Sequence, residues 1–456
     1  MRLRYDRGTV LLSELPPGQD LSDLPGVLWD GRVAALRAPA VHLEAIRAEL
    51  AARGVRAEDQ AGRPADLPVS LVEPPLRPYQ DDALWAWQRA GRRGLVVLPT
   101  GSGKTRLAVA AIARCRGPAL VLVPTRALLG QWAAELGRAW AGPIGCLGDG
   151  ERRVEAITVA TFESGWRQMD RLGDRFRLLV VDEVHHFGDG LKDEALELCA
   201  APARLGLTAT PPSPAAVERL GALVGPIAFE LAVGDLAGRW LAPFELVTLR
   251  LDLDDEERAA WERAVATYRP ALQAFRRAQP GAGWADFARA AGRTEAGRRA
   301  LDAFRSSRRL LAYPSAKRQA VAELLARHAA ARVLVFTADN ATAYAVAREQ
   351  LVMPITCDIS RAERAQALER FRRGELRALV SARVLNEGID VPDAEVAVVV
   401  GGTQGEREHV QRIGRLLRPA EGKSAVVYEL VMRGTSEVLQ ARRRRASLAA
   451  RQPHLV

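Results

Sequence analysis

LVVLPTGSGKTRLAVAAIA, residues 95–113, decides the architecture of this chain. Four strand-forming residues run into a glycine-rich turn and out into a helix-forming run. Such a turn exposes backbone N–H groups to phosphate oxygens, and the helix N-terminus adds a field that favours anions. In the loop Pro99–Thr105, Gly101 and Gly103 admit close approach, while Thr100 and Ser102 complete the phosphate-cradling backbone. Lys104 reaches the β/γ-phosphates and Thr105 offers its hydroxyl to Mg²⁺. Leu98 stands where the general pattern has its first glycine. Chance would produce G-x-G-K-T in roughly one chain in a thousand of this composition, and its place after a buried strand makes chance a poor account.

Outward from the loop, short apolar runs alternate with helical segments: ALVLV at 119–123, ITVAT at 157–161, LLVVD at 178–182 and LGLT at 205–208. Runs of β-formers between helices predict buried parallel strands, hence a doubly wound α/β lobe over 73–235. Residues 254–312 break the rhythm with charged helical sequence. The rhythm then returns in ARVLVF (331–336), MPITC (353–357), RALVS (377–381), AEVAVVV (394–400) and SAVVYEL (424–430). This predicts a second parallel-sheet lobe over 236–446, interrupted by the helical insertion, with a tail at 447–456. Residues 1–72 read as a small α/β module, with strand-like runs Thr9–Leu12, Val27–Trp29 and Val33–Leu36, a helical stretch at Val41–Ala52, and a linker around Arg63–Pro75.

The second half of a nucleotide-hydrolysing site lies at the end of LLVVD. Asp182 is placed to hold Mg²⁺, and Glu183 to orient and deprotonate the attacking water. The following His185 and His186 have no nearby His or Cys cluster, so metal binding there is disfavoured, and His185 reads as a coupling residue. LTAT (Leu207–Thr210) offers small hydroxyls just after a strand, suited to linking the hydrolysis site to DNA-facing loops.

The formal net charge of +10 favours a polyanionic partner. Only four of the 65 basic residues are lysines (Lys104, Lys192, Lys317, Lys423), and one of those four sits in the phosphate loop. Cys115, Cys146, Cys199 and Cys357 form no C-x-x-C pair, which argues against a zinc site, an iron–sulfur cluster or a disulfide framework and suits a reducing cytoplasm. No apolar run suggests a signal peptide or a membrane span. Arg442 to Arg445 read equally as a solvated helix end or a DNA contact.

In order, PTGSGKT, VPTRALLGQW, TVATFES, DEVHH, GLTAT, LVFTADN, NEGIDVPDAEV and QRIGRLLRP resemble the motif set of a superfamily 2 helicase. DEVHH and LNEGIDVPDA look most like the XPB family, especially its compact prokaryotic members. The resemblance implies two RecA-like lobes, a thumb-like arm at 254–312, a damage-recognition-like N-terminal domain, and a monomeric 3′→5′ motor using ATP and Mg²⁺ on DNA. It implies that LRPYQ sets Arg77 and Gln80 against adenine. It makes Gly388 and Asp390 nucleotide sensors of the second lobe, and Arg415 and Arg418 arginine fingers with Gln411 beside them. A guanidinium brought across a lobe interface is worth about 10³–10⁵ in rate. Thr125, Arg126, Thr161 and Ser381 match positions that grip DNA phosphates, contacts that would be sequence-independent and salt-sensitive. An Arg-Glu-Asp triplet that XPB relatives carry after LTAT is replaced by Pro211-Pro212-Ser213-Pro214-Ala215-Ala216, which leaves duplex translocation attractive beside strand separation. Two other readings share these motifs: an ATP-switched DNA platform that recruits a separate nuclease, and the motor subunit of a restriction or defence system.

Overall fold

The structure, a computed structural model, describes residues 1–15, 20–62, 71–190, 192–382, 394–401 and 425–448. Two compact units divide the chain at Asp235/Leu236.

The first unit begins with a five-stranded sheet of order β3-β4-β2-β1-β5, made of β1 (Arg2–Asp6), β2 (Thr9–Ser13), β3 (Leu28–Asp30), β4 (Ala35–Pro39) and β5 (Glu58–Asp59). Helix α1 (Leu43–Ala52) buries Leu43, Ile46 and Leu50 against it, a 3–4 spacing that gives one apolar stripe. Strand β1 is not visible as an apolar run because RLRYD carries three charged residues. The module is stapled to helical segments that cover the larger sheet of the same unit: the Tyr5 hydroxyl shares its proton between the carbonyls of Met169 (2.8 Å) and Leu198 (3.1 Å), and Ala200 completes the module's core.

Helix α2 (Pro78–Arg89), with proline at its first position, leads into the main sheet. The strands are β6 (Arg93–Val97), β7 (Ala119–Val123), β8 (Ile144–Gly148), β9 (Glu151–Arg153), β10 (Ile157–Thr161), β11 (Leu178–Asp182), β12 (Ala203–Thr208) and β13 (Ile227–Glu230). They lie in the order β13-β6-β12-β11-β7-β10-β8-β9, parallel except for the β8–β9 hairpin. Helices α3 (Lys104–Cys115), α4 (Arg126–Ala139), α5 (Phe162–Leu172), α6 (Glu194–Glu197) and α7 (Pro214–Leu223) connect them. β7, β10 and β11 are buried at every residue, as strands covered on both faces must be. Thr125, Thr161 and Ser213 cap α4, α5 and α7 with side-chain oxygens.

Arg204 is fully buried in β12. Its guanidinium donates to the carbonyls of Ala201, Leu196, Leu223 and Cys199, and so caps the ends of α6 and α7. Burial pulls its pKa down to about 10. One turn, α8 (Val233–Leu236), follows.

The second unit holds a six-stranded parallel sheet of order β14-β19-β18-β15-β17-β16. Its strands are β14 (Phe244–Leu251), β15 (Val333–Phe336), β16 (Met353–Ile355), β17 (Ala378–Ser381), β18 (Val396–Val399) and β19 (Ala425–Met432). β14 escapes a search for apolar runs because FELVTLRL is an edge strand, half-exposed along its length. Between β14 and β15 lie helices α9 (Asp255–Ala278), α10 (Trp284–Ala291) and α11 (Glu295–Ala312), with Phe275, Phe287 and Leu301 in a small core of their own.

The root of this helical insertion is tied to helix α12 (Ser315–Arg327). Ser315 N–H donates to Glu257 Oε1 (2.8 Å), and the buried Lys317 donates to the Leu311 carbonyl and Glu437 Oε1, both at 2.8 Å. Helices α13 (Asn340–Gln350) and α14 (Arg361–Arg372) flank the sheet, and the helix Ser436–Leu448 carries the arginine row. Arg444 of that row is neither solvated nor DNA-facing: it is buried and donates to the buried Glu429 at 2.6 Å. No helix among the described residues is long and apolar enough to cross a membrane.

Candidate nucleotide-hydrolysis and DNA-facing site

Parallel pairing brings five strand ends of the first unit to one edge. Val97 pairs with Thr208, Leu207 with Asp182, Val181 with Leu122, and Val123 with Thr161. The carboxyl ends of β6, β12, β11, β7 and β10 therefore line up, and in open α/β sheets ligands bind outside that edge.

The phosphate loop leaves β6 with Gly101 at φ 84° and Gly103 at φ 80°, a region that costs other residues about 1–2 kcal/mol. Gly103 is further constrained, since a Cβ there would lie 2.5 Å from Gln80 Nε2. Gln80 is buried against the loop. Its amide donates to the carbonyls of Ser102 (2.7 Å) and Gly103 (3.3 Å), while its Oε1 accepts the Arg77 backbone N–H (2.9 Å). The Tyr79 hydroxyl also donates to the Ser102 carbonyl, at 2.6 Å. Arg77 lies at the start of α2, its guanidinium 3.3 Å from the Tyr79 hydroxyl. The Lys104 ammonium donates to the Leu98 carbonyl at 3.1 Å. The Ser102 hydroxyl is buried at the loop apex with no hydrogen-bond partner among the described residues.

Asp182 closes β11, buried to 7% exposure. One carboxylate oxygen accepts the Trp132 indole N–H (2.8 Å) and the other the Glu183 backbone N–H (3.0 Å). Burial pushes the Asp182 carboxyl up, and the Lys104 charge and the Trp132 N–H pull it back. Glu183 sits in the left-handed region (φ 51°), and strained backbone of this kind persists where surroundings over-determine it.

His185 Nδ1 lies 3.4 Å from Glu183 Oε2 and 3.0 Å from Thr208 Oγ1. The Thr208 hydroxyl donates its one proton to the Thr210 carbonyl (2.9 Å), so the bond to His185 needs the hydrogen on Nδ1. This ring joins the carboxylate after β11 to the threonine that ends β12.

Of the residues expected to meet DNA, Thr125, Arg126 and Thr161 fall at or just after the ends of the adjacent strands β7 and β10. Thr125 caps α4 through Leu128 N–H, and the exposed Arg126 pairs with Asp149 at 3.1 Å. Thr161 caps α5 through Ser164 N–H. Ser381, in the second unit, is buried and donates inward to the Ile355 carbonyl (2.9 Å). Gly388, Asp390, Gln411, Arg415 and Arg418 lie outside the described residues. Trp132 and Tyr79 are parts of the site that their motifs contain without declaring. Trp132 lies seven residues after Thr125, two helical turns along one face, and that spacing was the available signal.

The donor set fits a nucleotide with a hard divalent ion. The loop has two glycines at positive φ and a lysine, and oxygen donors from Thr105 and Asp182 stand at the same edge.

A paired-lobe α/β chain with this phosphate loop and this acid pair is a motor of helicase superfamily 2. Sequence profiles match "Type III restriction enzyme, res subunit" over 73–213, "Helicase conserved C-terminal domain" over 316–420 and "Xeroderma pigmentosum group B helicase damage recognition domain" over 3–61. The chain is 32% identical over 447 residues to the DNA 3'-5' translocase XPB2 of Sulfurisphaera tokodaii, covering 97% of this chain and 99% of that one. It is 30% identical over 402 residues to the DNA 3'-5' helicase XPB of Mycobacterium tuberculosis, covering 84% of this chain and 65% of that one. The chain belongs to the XPB family. In fold it is similar to the helicase domain of Pyrococcus furiosus Hef, with TM-score 0.55 and 20% identity over 84% of this chain and 100% of that one.

Proposed function

We propose that this chain is an ATP-dependent DNA helicase or double-stranded DNA translocase acting in DNA repair, moving 3′→5′ as a monomeric motor. The observation that carries the reading is the shared strand edge. Lys104 opens α3 after the loop that leaves β6, Asp182 ends β11, and the capped N-termini of α4 and α5 follow the adjacent ends of β7 and β10.

In this reading the loop backbone and Lys104 hold the phosphates, and Thr105 and Asp182 would hold Mg²⁺. Mg²⁺ would neutralise charge developing on the transferring phosphoryl group. Glu183 takes the proton of the attacking water, and the His185–Thr208 bond keeps its carboxylate in register with the strand beside the loop. Helix N-termini are ready phosphate sites. Thr125, Arg126 and Thr161 would grip backbone phosphates without reading sequence. The Gln80 amide, engaged on the Ser102 and Gly103 carbonyls, supports the loop.

Where relatives carry the Arg-Glu-Asp triplet, this chain has Ser213 capping α7, an observation that favours duplex translocation over strand separation. Family membership over nearly the whole chain leaves the restriction-motor and nuclease-platform alternatives less favoured.

The test is ATP hydrolysis with and without duplex and single-stranded DNA, in the wild type, Lys104→Ala and Glu183→Gln. DNA-stimulated turnover is expected, with Glu183→Gln reduced by roughly 10²–10⁴-fold, the worth of a positioned general base. Absence of hydrolysis in every condition would refute the motor.

A further inference from the structure

We propose that Trp132 is a positioning residue through which DNA bound at the N-terminus of α4 sets the Asp182 carboxylate for hydrolysis. This rests on the motor reading above. Trp132 is 1% exposed, and its Nε1–H donates to Asp182 Oδ2 at 2.8 Å across 50 residues of sequence. It lies on α4, whose cap is Thr125 and whose first residue is Arg126. At 1.5 Å per residue, Arg126 and Trp132 are about 9 Å apart along the axis. Helix and indole are both stiff, and Leu129 and Leu136 of α4 are buried, which holds the helix as one body against the sheet. A phosphate drawn onto the first turn of α4 therefore loads the same rod that carries the donor.

A buried indole N–H needs an acceptor, and the simplest account is that Asp182 happens to be near. The same unit answers that need elsewhere with a backbone carbonyl: fully buried Trp87 donates to the Arg204 carbonyl at 2.9 Å. Trp132 instead engages an acidic side chain whose burial is itself costly. With the Glu183 N–H on the other oxygen, the two donors fix both the rotation and the depth of the carboxylate.

Trp132→Phe keeps an aromatic ring and removes the donor. Its ratio of duplex-stimulated to basal kcat is expected to fall by roughly tenfold, the worth of one charge-assisted hydrogen bond. Duplex affinity should stay near wild type, and the thermal midpoint should fall by only a few degrees, as for any lost buried hydrogen bond. A stimulation ratio equal to wild type overturns the proposal. A second measurement needs no Trp132 variant. With ¹⁵N-labelled indoles, the Trp132 resonance, assigned as the one displaced in Asp182→Asn, is expected to shift when duplex is added without nucleotide. An unmoved resonance at saturating duplex also overturns it. A wild type that hydrolyses ATP without any response to DNA overturns the motor reading itself, and this coupling falls with it.

Discussion

Gln80→Ala tests what the Arg77–Gln80 start of α2 does in this chain. The wild-type amide makes one short bond to the Ser102 carbonyl (2.7 Å), one long bond to the Gly103 carbonyl (3.3 Å), and accepts the Arg77 N–H (2.9 Å). The Ser102 carbonyl keeps the Tyr79 hydroxyl after the substitution, so it is not orphaned. The Gly103 carbonyl and the Arg77 N–H lose this side-chain partner. At about 0.5–1.5 kcal/mol per neutral hydrogen bond the combined loss is about 2 kcal/mol, or roughly 30-fold in kcat/KM. Because both ends of the amide are engaged by the chain's own backbone, the loss should be the same for ATP and for GTP. Steady-state hydrolysis of the two nucleotides at saturating DNA measures it directly. A variant that loses ATP turnover while GTP turnover is unchanged would show that the amide reads the base, and would refute the hydrogen-bond accounting.

Arg204→Met should destabilise the first unit. Burying the wild-type guanidinium costs about 3 kcal/mol, since its pKa falls from 12.5 to about 10. Four charged hydrogen bonds contribute roughly 6–12 kcal/mol in the other direction. The variant should therefore lose about 3 kcal/mol or more in urea unfolding, and a change under about 1 kcal/mol contradicts this. Stability of the N-terminal module should depend on His42. Burial, then Arg93 and Arg204, lower its pKa from 6.5, against a raising contribution from Glu197. A depressed histidine pKa means the unfolded chain takes up the proton first as pH falls, so its contribution is complete above about 6.5 and is lost below it. Urea midpoints between about pH 5 and 8 should slope for the wild type and flatten in His42→Gln; equal slopes would exclude His42 as the source.

The parts of this chain legible in the sequence are those where function is written into consecutive residues. A phosphate loop needs its glycines, lysine and threonine side by side, because the ligand is held by successive N–H groups, and LVVLPTGSGKT shows both strand and turn. The DEVHH segment is local for the same reason. Buried parallel strands were equally plain, since a strand covered on both faces must be apolar throughout. Strands with a face in water were not: RLRYD, inside the small sheet, and FELVTLRL, at the edge of the second unit's sheet, both carry charge where they meet solvent. Arg444 was misread because a run of arginines gives no sign that one of them turns inward to Glu429.

The remainder was hidden because it is pairwise. Gln80 meets Ser102 across 22 residues, His185 meets Thr208 across 23, and Trp132 meets Asp182 across 50. Each pair joins elements separate in the sequence, and the last two meet because the sheet closes in the order β6-β12-β11-β7. That strand order has a mechanical consequence. The Lys104 loop and the Asp182 strand are separated by β12 alone, and the hydroxyl of Thr208 at the end of β12 is where His185 is held. On the other side, β7 directly adjoins β11 and leads into α4, which returns Trp132 to the same carboxylate. Asp182 is thus held by the Trp132 indole of α4 and by the Glu183 N–H, while His185, two residues after Glu183, is held on the other flank by Thr208. In the coupling proposed above, a displacement of α4 reaches the Asp182 carboxylate through one hydrogen bond, from the Trp132 indole.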